Sequence, residues 1–270
     1  MRIAHVVQAF HAVSSRELVH FWQQRSRLGS SLVRPALWLV VFAAGFQNVF
    51  GVAVVEPYDS FIEYRVYIVP GLLGMVLLFN GMQSSLAMVY DREMGMMRLL
   101  LTAPLPRPVL LAAKLFAGTV LGVLQAYAFL VVCWAFGVDI PWLGWLWALP
   151  AMLLGGLMLG ALGLLLSATV KQLENFAGTM NFVIFPMFFA SSALYPLWRL
   201  RESGADWLYW VAQCNPFTHL VELVRFALYG QLHLVSLAVV LGATALFFIA
   251  ASVGYDPGRG LAQKRRPPGG

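Results

Sequence analysis

The chain has 270 residues, of which 60% are hydrophobic and 11% charged, whereas soluble domains average roughly 45–50% apolar and about 25% charged. With a mean hydropathy of +0.75 and two cysteines, it is neither a soluble globular protein, nor a disordered chain, nor a disulfide scaffold. Its apolar runs are continuous, which also excludes the alternation of a transmembrane barrel. The composition predicts an all-α, polytopic integral membrane protein, with about 20 residues to each crossing.

Residues 1–31 are too polar to cross a bilayer. Ile3, Val6, Val7 and Phe10, then Leu18, Phe21 and Trp22, recur at helical spacing. That pattern suits an N-terminal interfacial amphipathic helix, set either against lipid or against the protein's own face. Ser14 and Glu17 stand at capping-box spacing, so a second helical piece is expected from Ser15. No apolar core of signal-peptide length occurs in this segment. A transmembrane domain over residues 32–255 then contains six spans at about 35–52, 66–89, 109–136, 143–168, 176–195 and 234–253. Residues 256–270 form a basic tail.

Between the second and third spans, Asp91, Arg92, Glu93, Met94 and Gly95 precede Met97, Arg98, Leu100 and Leu101, and Pro104 stops the run. The spacing predicts a short amphipathic helix. It could be a headgroup-solvated turn or an adaptable apolar contact whose charges orient a partner. Pro186 predicts a kink in the fifth span. From Pro196 to about His233, the Trp207–Leu208–Val211 and Phe217–Leu220–Val224–Leu228 patterns, broken at Asn215-Pro216, predict two helices lying in or dipping into the outer leaflet. Tyr195, Trp198, Trp207, Tyr209 and Trp210 read as an interfacial aromatic belt, and His219 with Glu222 as a solvated face.

Fourteen of the 18 lysines and arginines fall on one side of this topology. They include Arg34, Arg92, Lys114, with its long stem able to snorkel, and Lys171. The other side holds Arg65, Arg199, Arg201 and Arg225. The positive-inside bias then places both termini in the cytoplasm. The net charge of +6 thus reflects topology and anionic lipid, and no nucleic-acid partner is expected.

Catalytic signatures are missing from the sequence. There is no phosphate-cradling Gly-Lys-Ser/Thr loop, nucleophile elbow or metal-ligand spacing, so the chain is not expected to be an enzyme by itself or to hold a cofactor or metal. No Asp or Glu lies inside the expected spans, which disfavours an ion-coupled secondary carrier. A non-transporting assembly or scaffold subunit stays open. Cys133 and Cys214 are not expected to pair. Gly118 with Gly122, and Gly156 with Gly160, offer small faces for close helix approach.

Tyr90 to Glu93, Gly95, Arg98 to Leu101, Pro104, Arg107 and Lys114 resemble the signature loop of type-2 ABC transporter permeases. Ile68-Val69-Pro70-Gly71, Ser191 to Pro196, Asn215-Pro216-Phe217 and Leu223-Val224-Arg225 follow in that family's order. The nodulation-type and drug-exporter permeases are the most similar subgroup. The resemblance implies that residues 91–101 contain a coupling helix docked on a separate ATP-binding subunit, which holds ATP and Mg. It implies two such subunits and a second permease copy, a homodimer with a central pathway. Asn181, Pro186, Tyr195, Pro196, Asn215 and Pro216 become candidates for gate or pathway. The expected function is ATP-driven export of an amphiphilic, lipid-linked saccharide or drug-like substrate across a bacterial cytoplasmic (inner) membrane.

Overall fold

In a computed structural model of the chain, the described residues are 15, 33–41, 56–58, 62–94, 107–170 and 172–255. The N-terminal amphipathic segment apart from helical Ser15, the later half of the first span, the Gly95–Pro104 loop, Lys171 and the basic tail lie outside them. The described residues form helices α1 (33–41), α2 (Tyr64–Glu93), α3 (Arg107–Ala135), α4 (Trp142–Thr169), α5 (Leu173–Phe189), α6 (Leu197–Glu202), α7 (Asp206–Cys214), α8 (Pro216–Leu228) and α9 (Leu234–Gly254).

Four of these, α2, α3, α4 and α9, are long and apolar enough to cross a membrane. The chain is therefore a multi-pass, all-helical membrane protein. α2 is the hub: it packs on α3, α4, α5 and α8, and most of its side chains from Tyr64 to Val89 are buried. Helix association in lipid depends on close packing of small residues, and the glycine pairs supply it. A Cβ on Gly118 or Gly122 would meet Ser84 or Asn80 of α2, and one on Gly156 or Gly160 would meet Thr119 or Leu115 of α3. The outward side of the bundle is apolar, with Leu241, Leu246, Ile249 and Val253 of α9 exposed, as suits a lipid contact.

The fifth span differs from expectation: its helix covers 17 residues and stops at Phe189, not at Tyr195. Pro186 therefore lies in the last turn instead of interrupting a span. The loop before α9 also differs, because it holds three helices instead of two. α8 does not skim a leaflet: ten of its side chains are buried against α2, α4 and α9. His219, expected on a solvated face, is buried, with Nε2 3.0 Å from Gln213 O and Nδ1 3.4 Å from Ser236 Oγ. By contrast, α7 keeps Trp207 and Trp210 exposed. Cys133 and Cys214 are both free.

Candidate functional site

Asp91, Arg92 and Glu93 end α2, and each reaches a different neighbour. Asp91 Oδ2 accepts a hydrogen bond from Lys114 Nζ of α3 at 2.8 Å, in a pair whose lysine side chain is only 9% exposed. Lys114 thus points into an ion pair and does not snorkel outward. Arg92 Nη2 donates to Ser167 O of α4 at 2.6 Å, and its guanidinium lies over the Tyr255 ring beyond α9. The Ser167 and Tyr255 hydroxyls are 2.7 Å apart. Burial pushes the Tyr255 phenol above its usual pKa, with Ser167 and Arg92 offsetting only part of the effect. Glu93 Oε1 accepts from the backbone N–H of Leu173 at 2.8 Å. Its carboxylate therefore meets the start of α5, where unpaired N–H groups and the helix dipole favour negative charge. Met94 follows, exposed; Gly95, Met97, Arg98, Leu100 and Leu101 lie outside the described residues. Three consecutive residues thus bind one helix end to four others.

The far end of the bundle is organised around the termination of α5. A helix leaves its last carbonyls without intrahelical partners, and here each finds one. Pro186 O accepts from Ala190 N at 2.9 Å, and Phe188 O from Ser191 Oγ at 2.6 Å. Phe189 O accepts from Tyr195 Oη at 2.5 Å. Asn215 Nδ2 donates to Met187 O and Ala190 O, both at 2.8 Å. The same side chain caps α8, its Oδ1 accepting from Phe217 N at 3.0 Å, with Pro216 in the first turn where a missing N–H costs nothing. This double cap is the physical reason that α5 stops early.

The turn beyond α5 is held from two more sides. Tyr64 Oη donates to Leu194 O at 2.7 Å and Tyr67 Oη to Ser192 O at 2.9 Å. Arg225 of α8 donates to Ser192 O at 2.9 Å, pairs with Glu222, and stacks its guanidinium 4.3 Å from the centroid of the Tyr67 ring. Arg225 is 1% exposed. Burial, the largest influence, opposes its charge, but Glu222, Tyr67 and Tyr58 outweigh it and hold the pKa above the usual arginine value. A Cβ on Gly71 would sit 2.7 Å from Ala193 O, so only glycine lets α2 approach this turn so closely.

Residues 8–229 match the family described as ABC-2 type transporter. The chain belongs to the ABC-2 type transporter family. It is 26% identical over 224 residues to a protein of Porphyra purpurea named as a transport permease, ycf38, covering 82% of this chain and 74% of that one. It is 24% identical over 237 residues to the daunorubicin resistance ABC transporter permease protein DrrB1 of Streptomyces coeruleorubidus, covering 86% and 81%. Nodulation protein J of Rhizobium leguminosarum bv. viciae is 31% identical over 90 residues, a third of each chain.

In this ABC-2 permease the candidate residues form two clusters. Tyr195, Pro196, Asn215 and Pro216 gather where α5, α7 and α8 meet, with Pro186 one turn away. Asn181 stands apart, on an exposed α5 face that also carries Phe182, Phe185 and Phe189. Arg225 had been counted with the outer-side charges; its burial was the feature sequence reasoning missed. The signal was present, because Arg225 lies four residues after Val221 and three before Leu228, on the apolar stripe itself, with Glu222 one turn back. Among the described residues no group of three or more His, Cys, Asp or Glu could hold a metal ion. The arrangement offers polar clamps between helices, which suits a machine that moves helices.

Proposed function

We propose that this chain is the membrane-spanning subunit of an ATP-driven exporter, energised by a separate ATP-binding subunit that carries ATP and Mg. The complete assembly has two permease copies and two ATPases in a bacterial cytoplasmic membrane. Each permease has six spans with both termini cytoplasmic, α1 and α5 contributing to the two that the four long helices leave out. The single observation that carries the reading is the root formed by Asp91, Arg92 and Glu93. A push delivered to residues 94–101 enters α2 and is passed at once to α3, α4, α5 and α9 through short polar contacts. Under this reading Asp91 to Glu93 transmit force, while Met94, Gly95, Met97, Arg98, Leu100 and Leu101 form the docking face. Coupling of this kind needs two discrete arrangements of rigid elements, each biased by the ATPase state.

The exposed α5 face supports a homodimer, since a helix with Asn181, Phe182, Phe185 and Phe189 outward has a mixed surface better suited to a second copy than to lipid alone. The substrate is amphiphilic, drug-like or lipid-linked. The test is co-purification with a candidate ATP-binding subunit, followed by substrate-stimulated ATPase and transport in proteoliposomes. Joint replacement of Met94 and Met97 by Ala is expected to leave the assembly's basal ATP hydrolysis intact and abolish its coupling to transport. Full transport by that double variant would refute the docking assignment, and ATP-independent transport driven by a proton gradient would refute the exporter reading itself.

A further inference from the structure

Arg34 was grouped with the basic N-terminal segment, yet its guanidinium lies 4.0 Å from the centroid of the Phe79 ring. Phe79 is near the middle of the 30-residue α2, so about 20 Å of helix separates it from either end at the usual rise per residue. Three other basic side chains, Arg65, Lys114 and Arg225, have carboxylate partners. Among the described residues Arg34 has none. Arg34 itself is exposed, so stacking on one ring, worth about 0.5–2 kcal/mol, leaves most of its donors open to water or to an anion.

Beside Arg34 there is room for one. A cavity of about 130 Å³ is lined by Arg34, Met75, Phe79, Asn80, Gln83 and Gln125, among others. Gln125 is 3% exposed and lines this cavity with its amide-bearing side chain. The volume equals roughly four waters at about 30 Å³ each, enough for a phosphate or carboxylate. Val33, Leu37, Val40 and Val41 of α1 are exposed, giving an acyl chain an apolar surface next to the same site.

We propose that this cavity is an anion subsite that takes the phosphate or carboxylate headgroup of a membrane amphiphile. Arg34 supplies the charge, and the Gln83 and Gln125 amides supply donors from α2 and α3. That the occupant is cargo rests on the exporter reading above; that the site binds an anionic headgroup does not.

The full-length chain, incubated with phosphatidylglycerol or phosphatidylcholine and examined by native mass spectrometry, is expected to retain the anionic lipid at least about tenfold more tightly. Arg34→Gln should abolish this preference and Gln125→Leu should weaken it, with Arg34→Lys retaining part of it. If Arg34→Gln does not fold, the Gln125→Leu and Arg34→Lys variants carry the test. A preference unchanged in all folded variants overturns the subsite. In proteoliposomes with the ATPase, ATP-dependent movement of the anionic lipid that is lost in Gln125→Leu supports cargo. Binding without movement, while another substrate is exported, overturns the cargo assignment. Arg34-dependent binding in a chain that couples to no ATPase overturns the exporter reading and leaves the subsite standing.

Discussion

Replacing Asn215 tests whether one side chain sets the end of α5 and the start of α8 together. Asn215→Ala removes two donors, to Met187 O and Ala190 O, and one acceptor, to Phe217 N. A typical hydrogen bond contributes about 1 kcal/mol net, and a carbonyl left buried without a partner costs about 1–3 kcal/mol; loss of an N-cap costs about 1 kcal/mol. These terms overlap, because water reaches a half-buried site, so the expected destabilisation is about 2–4 kcal/mol. The informative comparison is Asn215→Asp. Aspartate is as good an N-cap as asparagine and pairs favourably with the helix dipole, so a cap to α8 alone would leave stability unchanged or raised. In the double-cap geometry, the carboxylate instead faces two carbonyl oxygens with no proton to offer. Asn215→Asp is then expected to lose at least as much as Asn215→Ala. Reversible unfolding in mixed micelles measures both. An aspartate variant as stable as the parent would refute the coupling of α5 to α8 through this residue.

Glu93→Ala should cost about 1 kcal/mol through loss of the contact to Leu173 N, and Glu93→Gln, which can still accept, should recover part of it in the same unfolding assay. A double-mutant cycle between Asp91→Asn and Lys114→Met is expected to give a favourable coupling of about 1 kcal/mol for this partly buried pair. Zero coupling would remove the ion pair from the root. A Cβ on Gly163 would fall 2.3 Å from Ser85 Oγ and 2.8 Å from Gly81 O, whereas one on Gly242 meets nothing within 4 Å. Gly163→Ala should therefore destabilise the α2–α4 contact by about 1–3 kcal/mol, while Gly242→Ala should be silent in a thermal-stability screen.

The long spans were readable because lipid imposes a length and a composition on them, and α2, α3, α4 and α9 lie where hydropathy put them. The close faces at Gly118, Gly122, Gly156 and Gly160 were readable for the same reason: only small residues permit that approach. What escaped were features set by tertiary hydrogen bonds. Nothing in the apolar run from Phe176 to Tyr195 signals that Asn215, some two dozen residues later, will take up the carbonyls of Met187 and Ala190 and end the helix. Charge counting by side likewise treats a basic residue as solvated. It gave no sign that Arg225 is buried on a carbonyl, a ring and a carboxylate or that Lys114 turns to Asp91. Arg34, grouped with its basic neighbours in sequence, is exposed and in addition stacks on the Phe79 ring of α2. Among the candidate residues, Asp91, Arg92, Glu93 and Asn215 make contacts that join helices within the chain.

The placement of polar groups explains how such a bundle could move without coming apart. Apolar helix contacts in lipid are indifferent to small slides, because a leucine exchanged between a neighbour and an acyl chain changes little. Polar contacts are not, since a buried carbonyl or guanidinium stripped of its partner has no water to turn to. Among the described residues, polar contacts cluster at the Asp91–Glu93 root and the Asn215–Arg225 clamp, with Asn80 to Gly118 O and Tyr127 to Trp145 O between them, and both ends of α5 are tied, one by Glu93 and the other by Asn215. Under the proposed coupling, displacement of α2 at the root is delivered along a 17-residue helix to the turn at Ser191 and Ser192. There Tyr67 and Arg225 donate to a single carbonyl oxygen, so a shift of that turn strains both contacts at once.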